Sequence, residues 1–585
     1  MNYALNNSGK SGGKVTLGMA LKKLVPFLAG EKRNVIVAFI AIVINATSNL
    51  LGPIIIGYTV DNYIQTKNFQ GVLIFVAILL GIYVAGLIAI YVQTITMGGV
   101  GRRVLFNLRN AIFTKLQELP VAFFNQNKAG DLISRINNDT DKLNQFFAQA
   151  LMQFVGSFFM IVGAGIFLLS LNIRLGVAAV LPALGVVVVT QVLSAWVKRK
   201  NLQSLQSLGG MSAEIQESLE NFKVIVAFNR LDYFRKKFDE ANQKNYAVSI
   251  WAGIASNIFI PIYSLASNIA QLVTLAYGIY LISLGNFTIG LLIGFLLYVN
   301  SFYGPLRQLG ALWASLQLAL AALDRISEVL ALKSNMEVIS AHHVKSDFLL
   351  EFRNVSFAYS DEKMVLKNIQ LGLKKGHTYA FVGPTGGGKT TTASLMARLY
   401  DPIEGVILLD GKDLRSYKPA ERSKKIGFIL QEPFLFTGTL KDNILYGNEQ
   451  YFNHTNEQLR EILEKHGLSS LLARFEQGLD TKIATSGNTI SLGQKQLIAF
   501  IRAVMREPEI LILDEATANI DTVTEQLLEE ILNKLPKETT KIIIAHRLNT
   551  ISNADQICFV NGGEITLAGS MEHAMEMLLH GKRKS

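Results

Sequence analysis

Six stretches of this chain, 35–60, 72–91, 146–171, 175–197, 254–282 and 289–312, are each long and apolar enough to cross a hydrocarbon layer about 30 Å thick. They demand helices, because lipid offers no water to backbone N–H and C=O groups and the bonds must close within each segment. None of the six has a carboxylate or basic residue in its middle; the polar groups are amides such as Asn45, Asn49, Asn268 and Gln271. Amides in such places serve first as hydrogen-bonding glue between helices and only secondarily as substrate contacts. A proton-coupled carrier would show an intramembrane acid, so the energy source has to lie elsewhere in the chain.

The links after the first, third and fifth spans are short and nearly free of positive charge, for instance Asn172-Ile173-Arg174 and Ser283-Leu284-Gly285-Asn286-Phe287. The other links are long and basic. One carries Arg102, Arg103, Arg109, Lys115, Lys128 and Arg135, the other Lys198, Arg199, Lys200, Arg235, Lys236 and Lys237. The positive-inside rule places both in the cytoplasm with Lys22, Lys23, Lys32 and Arg33, so both chain ends are expected inside a plasma or inner cell membrane. Val104, Leu105, Leu108, Ile112 and Leu116 recur at helical spacing, which predicts helices that continue beyond the bilayer as a stalk. At its tips, 120–124 and 220–228, short helices are expected to dock through Phe123, Phe124, Phe222 and Phe228 or to pack inside the stalk itself.

Composition agrees with this reading. Half of the 585 residues are hydrophobic and 17% are charged, which argues against disorder and against an all-soluble chain. The net charge of +11 sits largely in loops flanking the spans, so it does not point to nucleic acid. The single cysteine, Cys558, excludes an intrachain disulfide and a Cys-pair metal knuckle and is expected to be a buried small hydrophobe. Long apolar runs stop near Leu320 and amphipathic patterning begins near Phe348. The expected divisions are a polar mobile tail at 1–20, a membrane domain at 21–330, a linker at 331–347 and a second domain at 348–585.

In the second domain a short apolar strand, Tyr379-Ala380-Phe381-Val382, runs into Gly383-Pro384-Thr385-Gly386-Gly387-Gly388-Lys389-Thr390 and then helix-forming residues 392–399. Strand, glycine loop and helix in this order make a phosphate cradle. The glycines let successive N–H groups turn inward, the helix N-terminus adds partial positive charge, Lys389 reaches the β- and γ-phosphates, and Thr390 offers a hydroxyl to Mg²⁺. A second apolar run, Ile510-Leu511-Ile512-Leu513, ends in Asp514-Glu515, two acids at the carboxyl end of a buried strand. Asp514 would hold Mg²⁺ and Glu515 would polarise the attacking water. A third strand at 541–545 leads to His546-Arg547, which puts His546 within reach of the γ-phosphate and of Glu515.

Together, Tyr359, Gly383–Thr390, Gln431, Ser491-Leu492-Gly493-Gln494, Leu513-Asp514-Glu515, Asp521 and His546 resemble the motif set of an ABC transporter nucleotide-binding domain. With six spans ahead of it, nearly the whole chain is similar to the half-transporters of the multidrug, peptide and lipid exporters. The resemblance implies an all-α six-helix transmembrane domain with two coupling helices, followed by an α/β P-loop NTPase domain with a helical subdomain. It implies ATP and Mg²⁺ as cofactors, adenine stacking on Tyr359, and nucleotide contacts along 383–390 and at Thr391. Thr390, Gln431 and Asp514 would serve as metal ligands, and Glu515, His546 and Gln431 would act in hydrolysis. Ser491, Gly493, Gln494 and Asp521 would face the nucleotide of an opposite subunit, so a lone chain cannot complete a site.

One departure stands out: the family's LSGGQ signature reads Ile490-Ser491-Leu492-Gly493-Gln494, with leucine in place of a glycine. A leucine side chain occupies space where backbone N–H groups would approach phosphate. Since Lys389, Asp514, Glu515 and His546 are intact, a heterodimer with one good and one weak ATP site is expected, with a homodimer as the alternative. The uncharged membrane interior and aromatics such as Phe158, Phe159, Tyr263, Tyr298 and Phe302 suggest hydrophobic or amphipathic cargo (drugs, lipids or peptides), though the same rings also serve helix packing. An ATP-gated channel or regulator is the rival function.

Overall fold

The computed structural model describes residues 3, 5, 26, 29–359, 363–484, 490–514, 522–544, 553–568, 573 and 576, with the side chains at 310, 311, 313, 314 and 522–524 left aside. The chain divides into two compact units, a helical one of residues 6–117 and 130–331 and an α/β one of residues 1–5, 118–129 and 332–585.

Among the described residues, six helical spans are long and apolar enough to cross a membrane, the number the hydropathy pattern predicts. The helices named below are α1 (Lys32–Thr59), α2 (Phe69–Glu118), the short α3 (Val121–Gln126), α4 (Leu151–Leu171), α5 (Ile173–Glu220), the short α6 (Phe222–Ala227), α7 (Leu231–Asn257), α8 (Phe259–Ser283) and α9 (Ile289–Ala331), and two further short helices, Ala129–Ser134 and Thr140–Gln145, lead into α4. Residues 118–129, which carry α3, belong to the α/β unit. Helix α2 has 50 residues, about 75 Å at 1.5 Å per residue, far more than hydrocarbon requires. Between α4 and α5 the turn is set by Asn172, whose side chain accepts the Leu175 N–H at 3.0 Å. A Cβ on Gly176 would stand 2.5 Å from the Leu168 carbonyl oxygen, so only glycine admits this close approach.

The core of the helical unit gathers Leu168, Ala179, Ala270, Phe295, Tyr298 and Val299, all at most 1% exposed. Its buried phenols are satisfied by neighbouring backbones: Tyr298 donates to the Leu50 carbonyl on α1, and Tyr303 donates to the Ala179 carbonyl on α5 at 2.9 Å. Of the intramembrane amides, Gln271 on α8 donates to Asn300 on α9 at 2.8 Å and so ties two helices, whereas Asn49 bonds Asn45 within its own helix. Tyr298 and Phe302 are packing residues, 0% and 7% exposed, whereas Phe158 is 58% exposed.

An ionic cluster around the buried Arg135 pins residues 131–142, which lead into α4, to the far end of α9. Arg135, 1% exposed, donates to Asp131 at 3.0 Å, to Glu328 at 2.8 Å and to the Arg325 carbonyl at 2.7 Å. Arg325 in turn meets Asp131 at 2.6 Å and Asp139 at 3.2 Å, and Lys142 meets Asp139 at 2.9 Å. Three cations balance three carboxylates, so removing one leaves charge stranded out of water. Arg135→Leu is expected to destabilise the helical unit by about 3 kcal/mol, read as a lower thermal unfolding midpoint of the protein in detergent.

In the α/β unit, β1 (Leu350–Phe357), β2 (Leu366–Leu373), β4 (Glu404–Leu409) and β5 (Lys412–Asp413) form an antiparallel sheet in the order β2-β1-β4-β5. A second sheet has the order β12-β11-β3-β10-β9-β6, from β3 (Thr378–Val382), β6 (Ile426–Ile429), β9 (Ile510–Asp514), β10 (Thr540–Ile544), β11 (Gln556–Asn561) and β12 (Glu564–Leu567). The short β7 (Gly438–Thr439) pairs with β8 (Lys482–Ile483). All of the six-stranded sheet except edge strand β12 is parallel. That explains the unbroken apolar run of β9, which is buried on both faces.

Alternate residues serve two cores. Tyr379, Phe381, Ile510, Ile512, Ile542 and Ile544 meet the antiparallel sheet and α10 (Lys389–Met396). Ala380, Val382, Leu511, Leu513 and Ile543 meet α11 (Leu440–Leu445), α12 (Asn456–Lys465), α13 (Leu492–Val504) and α14 (Thr522–Lys534). Three of these helices start with capping boxes legible in sequence: Thr439 with Asp442, Thr455 with Gln458, and Ser491 with Gln494. Cys558 is fully buried, and burial pushes its thiol up to about 12.

Candidate functional site

Parallel register brings the ends of several strands to one edge. Ile544 pairs with both Phe381 and Asp514, and Ile429 pairs with Leu513. The carboxyl ends of β3, β6, β9 and β10 therefore lie side by side, which is where such sheets bind ligands. The loop 383–388 leaves β3 and closes against β11. A Cβ on Gly383 would lie 2.0 Å from the Val560 carbonyl oxygen and one on Gly387 2.6 Å from it, so side chains are excluded. Gly383 and Gly388 have φ of +148° and +113°, a region that favours glycine.

Gly388 is also the N-cap of α10, so the helix begins at Lys389 and ends at Met396, three residues earlier than the 392–399 expected from composition. Its backbone turn does the starting, and no capping side chain is involved. Lys389, 6% exposed, donates its Nζ to the Gly383 carbonyl at 2.8 Å and the Pro384 carbonyl at 3.1 Å, holding the ammonium within the curve of the loop. Pro384, Thr385 and Gly386 are exposed along its rim. Thr390 donates to Asp514 Oδ1 at 3.1 Å, which brings a hydroxyl and a 2%-exposed carboxylate together from separate elements. Oxygen donors of this kind suit a hard cation such as Mg²⁺, and the side-chain-free cradle beside them suits phosphate.

Tyr359 keeps 46% of its surface exposed, so a ring face is available for a base. Its hydroxyl bonds Thr391 Oγ1 at 3.0 Å, and the ring meets Phe357 and Tyr400 edge to face at 5.0 and 5.2 Å. Sequence reading missed Tyr400 and Asn125. Asn125 of α3 donates to the Tyr400 hydroxyl at 2.6 Å, while burial holds that phenol above its ordinary range. No local pattern marks either residue, because 275 positions separate them.

Gln431 is exposed just past β6. At the signature, the Ser491 Oγ accepts the Gln494 N–H at 3.2 Å, Gln494 Oε1 accepts the Ser491 N–H at 3.0 Å, and Gln494 Nε2 reaches the Arg474 carbonyl at 3.2 Å. Gly493 follows in the first turn of α13. Glu515, Asp521 and His546 lie outside the described residues.

Fold and site define a membrane-spanning P-loop ATPase. Family models agree in both halves: the ABC transporter transmembrane region matches residues 35–306 and the ABC transporter model matches 366–518. An uncharacterized ABC transporter ATP-binding protein, YfiC, of Bacillus subtilis (strain 168) is 34% identical over 94% of this chain and 91% of its own. A multidrug resistance ABC transporter ATP-binding and permease protein of Lactococcus lactis subsp. lactis (strain IL1403) is 31% identical over 84% of this chain and 83% of its own. A fatty acid ABC transporter ATP-binding/permease protein of Mycobacterium bovis (strain ATCC BAA-935 / AF2122/97) is 30% identical over 86% of this chain and 80% of its own.

The chain belongs to the ABC transporter family, with the half-transporter organisation of its exporters. It is an integral membrane protein that hydrolyses ATP with Mg²⁺ to drive transport, its nucleotide-binding domain in the cytoplasm.

Gly383→Ala places a methyl against the Val560 carbonyl and strains φ, distortions of order 1–3 kcal/mol. ATP affinity is expected to fall at least about tenfold in a fluorescent-nucleotide titration, with the thermal unfolding of the helical unit unchanged.

Proposed function

We propose that this chain is one half of an exporter that moves hydrophobic or amphipathic molecules out of the cytoplasm, working as a dimer with unlike ATP sites. The observation that carries the proposal is the pairing, in one polypeptide, of a complete Lys389–Thr390–Asp514 cradle with a leucine at the signature. Relatives named for multidrug resistance and for fatty acids support an apolar cargo.

In this reading Tyr359 stacks the adenine, loop 383–388 and Lys389 hold the phosphates, and Thr390, Asp514 and Gln431 hold the cation. Glu515 takes the proton of the attacking water, His546 orients it against the γ-phosphate, and Asp521 faces the second subunit. Bound Mg²⁺ supplies neutralisation of phosphate charge.

Leu492 is the first residue of α13 and 40% exposed. It stands at the helix N-terminus, the end a phosphate of the opposite subunit would approach, where it takes up room a glycine would leave free. Exposure on α6 supports assembly with a second half. Phe222, Val224, Val226 and Phe228 are 55%, 55%, 49% and 75% exposed, an apolar set for a short helix that a partner subunit would cover. The homodimer is the second reading, and purification decides between them. Vigorous ATPase and transport by this chain alone would sink the heterodimer. In the heterodimer reading, Leu492→Gly raises the ATPase of the isolated chain at least about tenfold, because it repairs the signature each copy lends the other.

Glu515→Gln is expected to keep ATP binding and lose hydrolysis by at least about a hundredfold, since an amide cannot accept the proton. Near-normal turnover in that variant would remove Glu515 from its role.

A further inference from the structure

Tyr3 and Leu5 are 4% and 7% exposed. The Tyr3 N–H donates to Gln126 Oε1 at 2.7 Å, at the end of α3. The neighbouring Asn127 acts as a strand partner would: its Nδ2 donates to the Tyr3 carbonyl at 2.9 Å and its Oδ1 accepts the Leu5 N–H at 2.9 Å. The same Nδ2 reaches the Phe123 carbonyl at 2.7 Å, so one amide closes α3 and grips the N-terminal residues. On the other side the Tyr3 hydroxyl accepts the Asn335 N–H at 3.0 Å and donates to Asn335 Oδ1 at 2.8 Å, with the Lys333 carbonyl at 3.3 Å.

These bonds join three segments of the α/β unit, 1–5, 118–129 and the linker that starts at 332, each of which continues by chain into the helical unit. Further on, the linker is fastened to the ATPase. The Glu337 carbonyl accepts from Arg398 at 2.9 Å, and the Ile339 N–H donates to the Arg415 carbonyl at 3.2 Å. Around the junction lies a cavity of about 520 Å³ bordered by Tyr3, Gln126, Asn335, Tyr359 and Tyr400. The tie combines these hydrogen bonds with the burial of Tyr3 and Leu5. Ordering terminal residues costs conformational entropy, and here it is offset by satisfied backbone groups and a buried phenol.

We propose that Tyr3 and Leu5 form a clasp that makes α3 and the interdomain linker move with the ATPase as one piece, with Tyr3 as a positioning residue for coupling nucleotide binding to the membrane helices. The clasp rests on the transport activity and does not depend on any assignment within the ATP site.

A cargo-free readout is built into the chain, because its three tryptophans, Trp196, Trp251 and Trp313, all fall in the helical unit. In proteoliposomes of the full-length protein, Mg·ATP is expected to change tryptophan emission. Tyr3→Phe and deletion of residues 2–5 are each expected to cut that change about fivefold, the effect of losing a hydrogen-bonded tie, while ATP affinity and basal ATPase stay within about twofold of wild type.

Backbone amide exchange over α3 and 332–337 should quicken by a similar factor in both variants, and Asn335→Ala should add nothing further once residues 2–5 are gone. Unchanged exchange would overturn the clasp, and so would a full tryptophan response in Tyr3→Phe or loss of ATP affinity along with it. A wild-type protein with no tryptophan response to Mg·ATP would count against transport coupling, and the exchange measurement would still decide the clasp.

Discussion

Every backbone N–H and C=O must find a partner, and this protein handles that requirement in opposite ways in its two units. In the helical unit, lipid offers none, so the six spans close their bonds internally, and even the buried phenols of Tyr298 and Tyr303 turn to carbonyls of neighbouring helices. In the α/β unit the loop 383–388 does the reverse. Its glycines bend close against β11 and leave a cradle free of side chains, beneath which Lys389 supplies positive charge. The backbone of one unit pairs within its own helices, while the other keeps several backbone groups ready for phosphate.

Polar ties join elements distant in sequence. The Arg135 cluster fastens the residues leading into α4 to α9 through a buried guanidinium, an arrangement sensitive to the loss of its partners. In the α/β unit, α3 is held by Asn125 to Tyr400 and by Gln126 and Asn127 to Tyr3. Tyr400 in turn packs edge to face against Tyr359, so the aromatic group proposed to receive adenine is one ring away from the helix. Directional bonds suit such places better than apolar packing does, because they fix register as well as proximity.

Much of the site was readable before any fold was known. The β3–loop–α10 sequence, the acid at the end of β9 and the Ser491 cap are local patterns, and their geometry follows from neighbours within a few residues. The start of α10 was misread by three positions, since composition does not reveal that the φ of Gly388 would serve as the cap. Tyr400, Asn125 and Tyr3 carried no local signal at all. Each matters through a partner more than a hundred residues away.

The sequence by itself determined that this chain has six membrane helices and a P-loop ATPase, because hydrophobic length and glycine spacing act over one element at a time. Tertiary structure alone decided that Thr390 meets Asp514 across 124 positions, that Arg135 meets Glu328 of α9 and that Tyr3 is bonded by Asn127 just past α3. Those contacts depend on strand register and helix packing, which are properties of the whole chain's closure and are written in no single stretch of it.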